Sequence, residues 1–340
     1  MSRTARAPHR FGRRALLVSL PLGLAVTAAA CGDKGGSSSE GESKEKGKAS
    51  GNGGGDKKTI TVYATTGYLA DAMKSILGDA KITTMVGPGG DPHTYQPSTK
   101  DIQAMQDADL VLWNGLHLEA QMIDQLKSLG DKQLCVGEML PKDLLLPWPE
   151  KDDQGNELHD PHIWNSPEAW SKCVGFIGER VAEMLPDRKD EVTKATEAYQ
   201  GEIDKVYQTA KKQLESVNPR VLITGHDAFN YFGKTFDLEV YATDFVSTEA
   251  ARNAAEISEL AHVIAEKKVP VIFQDNQANP QAITSLKQAV EAAGWKVEIS
   301  TKELFADSLG AEPEVDTYLE VFAHNATAVA KALGGKADVK

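Results

Sequence analysis

The chain has 340 residues, a net charge of −12 and an ordinary apolar fraction of 41%. That length leaves room for one large or two ordinary domains. The acidic balance argues against nucleic acid as a partner and is compatible with a cationic ligand.

The first 30 residues carry Arg3, Arg6, Arg10, Arg13 and Arg14, then an apolar stretch from Ala15 to Ala30 broken by Pro21 and Gly23. A basic start, a short apolar core and small residues at its end predict a secretory signal. The stretch is shorter than the roughly 18 apolar residues of a membrane span. Ala28-Ala29-Ala30-Cys31 resembles the lipobox of bacterial lipoproteins, although Ala28 stands where Leu is usual. Lipid on Cys31 would tether the chain to the outer face of the cell membrane; plain cleavage near Ala30 is the alternative. Arg13-Arg14 leaves the general and the twin-arginine export routes both open. Residues 31–58 are almost purely Gly, Ser, Lys, Glu and Asp, a composition that predicts a flexible linker with no apolar surface to bury.

The folded part begins at Thr59. Strands are expected at Thr59–Ala64, Lys81–Val86, Leu110–Trp113 and Gln133–Val136, alternating with helices at Tyr68–Leu77, Thr99–Ala108 and Leu118–Leu129. Such alternation predicts an α/β lobe with a mainly parallel sheet covered on both faces. Ser166 as N-cap and Pro167 in the first turn open a helix to Leu185. Pro186 ends it. Asp190–Val217 has apolar residues at helical spacing (Val192, Tyr199, Ile203, Val206, Ala210, Leu214) and is long for a globular helix. Alternation then resumes, with strands at Arg220–Thr224, Leu238–Tyr241, Val269–Gln274 and Lys296–Ile299. Helices are expected at Asp227–Phe232, Ala254–Lys267, Pro280–Ala293 and Val315–Leu333. The predicted architecture is two βα lobes, 59–187 and 219–336, joined by one long helix at 188–218. The ligand then belongs in the cleft between them.

Three segments place a histidine on a polar turn between regular elements: Asp91-Pro92-His93, Asp160-Pro161-His162 and Gly225-His226-Asp227. The Asp-Pro-His triplet occurs twice, and proline stiffens the approach to each histidine that follows. Neutral imidazole is a common metal ligand. Successive histidines are 69 and 64 residues apart, unlike the short spacings of a zinc finger, so any site made from them must be assembled by the whole fold. Spacing alone leaves open whether they meet.

The segments DPHTYQPS, DPHIW, ITGHDAFNYFG and ELFADSLG occur in that order, with NGLHLEAQM at 114–122. Together they resemble the zinc/manganese solute-binding proteins of ABC importers (the cluster A-I, TroA-like family) over nearly all of residues 59–335. The resemblance implies a metal held by His93 and His162 from the first lobe and His226 and Asp307 from the second. It also implies Zn2+ or Mn2+ as cargo, ABC permease subunits as partners and a rigid helix between the lobes. A monomer is expected. Where relatives often carry Glu-Pro-Ser near 249–253 and Glu-Ser after the strand at 269–273, this chain has Glu249-Ala250-Ala251-Arg252-Asn253 and Gln274-Asp275-Asn276. The His-rich loop of many zinc-dedicated relatives is absent from 147–160, which holds only His159.

Three imidazoles and one carboxylate favour zinc by ligand type, since manganese prefers more oxygen. Four protein ligands leave little room for the open position of a catalytic zinc. No HExxH, GxSxG or phosphate-cradling glycine loop is present. The chain therefore reads as a binding protein and not an enzyme; a metallohydrolase or a metal-stabilised surface adhesin are the alternatives. His117, His262 and His324 are expected to be surface or packing residues, and His159 at most an auxiliary ligand. Asp227 is expected to orient His226 or to cap the next helix. Tyr95, Trp164 and Phe229 are expected to line the cleft wall. Cys135 and Cys173 are either paired or two separate thiols.

Overall fold

The computed structural model describes residues 58–151, 155–246, 248 and 252–337. The signal segment 1–30, Cys31 and nearly all of the 31–58 linker lie outside them, as do residues 249–251. Among the described residues no helix is long and apolar enough to cross a membrane.

The first lobe is a four-stranded parallel sheet in the order β2-β1-β3-β4: β1 Thr61–Ala64, β2 Lys81–Thr84, β3 Leu110–Trp113 and β4 Gln133–Cys135. All four residues of β3 are buried, as expected of a strand covered on both faces. Val62, Ala64, Leu110 and Leu112 face the large core shared with α1 (Gly67–Ile76) and α4 (Pro167–Met184). Tyr63, Val111 and Trp113 face a smaller core with α2 (Thr99–Asp107). Caps fix the helix starts. Thr66 accepts from Leu69 N–H at α1, Ser98 and Asp101 form a reciprocal capping box at α2, and Ser166 with Pro167 opens α4.

Two elements differ from expectation. The helix predicted at 118–129 is a 3₁₀ turn, Ala120–Met122, followed by a five-residue α3, Ile123–Lys127. Gly115, Leu116 and His117 just before it all have positive φ (77°, 54° and 70°), and the chain spends that stretch on a left-handed turn. The acidic, proline-bearing segment after Leu146 forms an antiparallel hairpin of β5 Pro147–Lys151 and β6 Glu157–His159.

The second lobe pairs β7 Val221–Thr224 with β8 Glu239–Ala242, and β9 Val271–Ile272 with β10 Glu298–Ile299, all parallel. Phe273 N–H donates to the Ile223 carbonyl at 2.8 Å and joins the two pairs. Helices α6 Asn230–Phe236, α7 Ala254–Lys267, α8 Pro280–Ala292 and α9 Tyr318–Ala332 complete it. Ile223, Ile264, Ile272, Leu286 and Val290 form its own core.

Helix α5, Lys189–Leu214, has 26 residues and runs for roughly 39 Å at 1.5 Å per residue. It packs on α4, α1 and α9. A Cβ on Gly178 of α4 would lie 2.2 Å from Thr196 Oγ1, so glycine lets α4 and α5 approach closely. Tyr199 of α5 donates its hydroxyl to Asp71 Oδ2 of α1 at 2.6 Å, and the same oxygen accepts the Tyr318 N–H that opens α9 at 3.1 Å. One buried carboxylate thereby fastens the long helix to both lobes, and residues 58–337 pack as one unit.

Candidate metal centre

Each histidine sits on a loop whose backbone is held by an aspartate. Asp91 Oδ1 accepts the His93 N–H at 2.8 Å in the loop between β2 and α2. Asp160 Oδ1 accepts the His162 N–H at 3.0 Å in the turn between β6 and α4. Beyond β7 the same task falls to Asp275, which follows β9: its Oδ2 accepts both Gly225 N–H and His226 N–H at 2.9 Å. The repeated Asp-Pro-His triplet thus works through its aspartate as well as its proline, by an Asx turn. Gly225 is required there, because a Cβ would meet Ala278 Cβ at 2.2 Å and Asp275 Oδ2 at 2.9 Å.

Asp307 lies between β10 and α9. Asn276 accepts the Ala306 N–H at 2.8 Å and donates to the Ser308 carbonyl at 2.9 Å. From the first lobe, Trp164 Nε1 and the Tyr68 hydroxyl both donate to the Ala306 carbonyl, at 2.8 and 3.1 Å. Residues 274–276 therefore supply Asp275 to the His226 turn and Asn276 to the Asp307 turn.

These turns bring four groups together. Nε2 of His162 lies 3.3 Å from Nε2 of His93 and 3.2 Å from Nε2 of His226. Asp307 Oδ1 is 3.3 Å from His162 Nε2, and Oδ2 is 3.2 Å from His226 Nε2 and 3.6 Å from His93 Nε2. The four donor atoms lie within 4.8 Å of one another. Donors at about 2.0–2.1 Å from a tetrahedral zinc stand about 3.3 Å apart, so the spacing matches a four-coordinate ion. Neither Asp307 oxygen has any other hydrogen-bond partner among the described residues.

The group is sealed. His93 is 2% exposed and the other three 0%, so the expected cleft is closed around the donors. A surface cavity of about 710 Å³, bordered by Lys172, Gln200 and Lys234, involves none of them. Further bonds join the lobes nearby: Gln277 Nε2 to the Gly90 carbonyl at 2.8 Å, Thr248 hydroxyl to Asp91 Oδ2 at 2.6 Å, and Asn165 Nδ2 to the Ala228 carbonyl at 2.9 Å.

Burial alone would raise Asp307, but the charges of His226 and His162 outweigh it and hold the carboxyl well below the usual range. Burial lowers His93 to about 3, against the pull of Asp307. It acts the same way on His162, yet Asp160 and Asp307 override it and lift that ring to about 10. His226 is raised too, burial being overcome by Asp307. The Asp307 carboxylate thus favours the protonated form of both His162 and His226.

The other expected residues fall elsewhere. His262 is exposed on α7. His117 packs edge-on against Trp148, and His324 Nε2 meets the Glu303 carbonyl at 2.8 Å. His159 does not belong to the four-donor group. Tyr95 donates to Asp101 Oδ2 at the start of α2 and not into the cleft. Asp227 neither orients His226 nor caps a helix: it accepts from Asn230 Nδ2, and Phe229 is the N-cap of α6. That helix starts at 230, and not at 227, because the turn that carries His226 occupies the preceding residues. Cys135 and Cys173 are both free thiols.

Three imidazoles and a carboxylate, closed off between two βα lobes, form a group of the kind that can hold a divalent transition metal. A family model described as zinc-uptake complex component A, periplasmic, matches residues 62–332. The chain belongs to that family, a transport component and not an enzyme. It is 36% identical over 278 residues to the zinc-binding protein TroA of Treponema pallidum (strain Nichols), covering 80% of this chain and 88% of that one. It is 31% identical over 280 residues to the manganese-binding lipoprotein MntA of Bacillus subtilis (strain 168), covering 81% and 90%. The solved structure of periplasmic TroA superposes with a TM-score of 0.75 at 34% identity, over 81% of this chain and 99% of that one.

Proposed function

We propose that this protein captures zinc or manganese outside the cytoplasm and delivers it to the permease of an ABC importer, with His93, His162, His226 and Asp307 as the ligands. The observation that carries the reading is the convergence of three Nε2 atoms on a carboxylate with no other partner, at separations of 3.2–3.6 Å. The nitrogen-rich donor set and its four-coordinate spacing favour zinc. The names of the relatives support both metals, since TroA is a zinc-binding and MntA a manganese-binding protein. In this reading the lobes span 59–187 and 219–336, the connecting helix 188–218, and the receptor is a monomer tethered through lipid on Cys31.

The experiment is a titration of chelator-stripped protein with Zn2+ and Mn2+, followed by direct competition between them. One ion per chain and a preference for zinc are expected. A stripped protein that takes up neither metal would overturn the proposal. Metabolic labelling with palmitate, lost in Cys31→Ser, tests the tether.

A further inference from the structure

His162 and His226 present Nε2 to the same cluster, but the far sides of their rings are treated differently. Nδ1 of His162 lies 2.7 Å from Asp160 Oδ1. Nδ1 of His226 is buried and has no hydrogen-bond partner among the described residues. In the same region a second buried polar atom, Oδ1 of Asp244, is also without a partner among the described residues.

The two residues are held side by side by the backbone. Asp244 N–H donates to the Gly225 carbonyl at 2.8 Å, and the Thr243 hydroxyl donates to the same carbonyl at 3.0 Å. The Asp244 carboxylate also accepts from the Asn279 N–H and feels the charge of His226. Other carboxylates around the turn are engaged: Asp275 by three backbone N–H groups, Asp227 by Asn230. A metal on Nε2 leaves the imidazole proton on Nδ1. Ligating histidines almost always donate that proton to a carboxylate, a carbonyl or a water. An unmatched buried donor and an unmatched buried acceptor each bear a desolvation penalty that pairing removes.

We propose that Asp244 is the carboxylate partner of His226 in the metal-loaded site, reached through one buried water, and positions this second-lobe ligand as Asp160 positions His162 in the first. The two atoms are not in direct contact, and a single water can accept from Nδ1–H and donate to Oδ1. Asp244 is a positioning residue; it does not touch the metal. The assignment rests on the metal-capture reading above.

The test uses the full chain loaded with Zn2+ and labelled with 15N-histidine. In the wild type, the His226 Nδ1–H resonance should exchange slowly with solvent, as that of His162 should. Asp244→Asn keeps an oxygen for the Asn279 N–H but removes the charge. It should shift the His226 resonance and speed its exchange, leave that of His162 unchanged, and raise the zinc dissociation constant about 10-fold. A wild-type His226 Nδ1–H that exchanges freely would overturn the proposal, and this measurement suffices if the variant does not fold. So would an Asp244→Asn protein with the wild-type resonance and affinity. Wild-type protein that binds no zinc would instead bring down the metal-capture reading, and this proposal with it.

Discussion

Asp160 grips His162 at two points: one oxygen accepts the backbone N–H at 3.0 Å and meets ring Nδ1 at 2.7 Å. Its other oxygen accepts from Asn230 Nδ2 of the opposite lobe at 3.1 Å, and its carbonyl from the Tyr231 hydroxyl at 2.9 Å. The orientation of the His162 ring is thus tied to the closing of the lobes. Asp160→Asn retains an acceptor for the backbone but loses the charge behind the imidazole. Zinc affinity in a competition titration should fall about 10- to 100-fold; an unchanged affinity would remove Asp160 from the site.

Replacing a donor should cost more. His93→Ala, His162→Ala, His226→Ala and Asp307→Ala should each weaken zinc binding beyond the roughly 100-fold upper range for an outer partner. His262→Ala, on the exposed face of α7, should leave it unchanged. Normal binding by His226→Ala would show that the third ligand is misassigned.

Proton competition should make the affinity strongly pH-dependent. The ring of His162 is lifted from the ordinary 6.5 to about 10 in the metal-free cluster, and that of His226 is also raised. Any proton on a ligating Nε2 must leave before a metal enters. Affinity should therefore keep rising above pH 6.5 and fall steeply below it, with at least about one proton released per ion near neutrality. Calorimetry in buffers of different ionisation enthalpy counts them. A release near zero, or an affinity level from pH 7.5 to 5, contradicts the donor set.

Gly225→Ala should destabilise the protein and weaken metal binding together. The new methyl would press on Ala278 and on Asp275 Oδ2, the oxygen that holds the His226 turn. A lower melting temperature and a lower zinc affinity are expected, with far-UV circular dichroism unchanged. Wild-type values for both would mean that the turn has room to spare.

Removal of the ion should lower thermal stability. A ligand that binds only the folded chain at 100 times its dissociation constant adds about 2.7 kcal/mol. Chelator-stripped protein should melt lower than the zinc-loaded form, and the gap should vanish in His162→Ala.

The course of the chain was legible wherever local chemistry decides it. Ser166-Pro167 opens α4 as expected, and the charged run after Lys189 is the connecting helix. The convergence of His93, His162, His226 and Asp307 could be expected from their motifs through the family resemblance, but not from spacing, because the turns that aim them are built from remote parts. Asp275 is 49 residues from the His226 N–H it holds, and nothing near His226 announces it. Asp91 and Asp160 stood in plain view beside their histidines, and their Asx turns were the signal available. The helix expected at 118–129 failed for a related reason. Buried Glu119 accepts from Thr65, Asn114 and Gly115 and winds the preceding residues into a left-handed turn. Asn114 then donates from that turn to the Pro161 carbonyl, next to His162, at 2.9 Å. Helical periodicity carries no trace of such a contact.

The near-zero exposure of the four donors has a kinetic consequence. A chelator in the surrounding medium cannot touch the cargo until the seam through Gln277, Thr248 and Asn165 parts. Stripping should therefore accelerate with chelator concentration only up to a plateau, and the height of that plateau is the rate at which the seam opens. The timing of delivery is then set by how often the receptor unfastens itself and not by how strongly the recipient pulls.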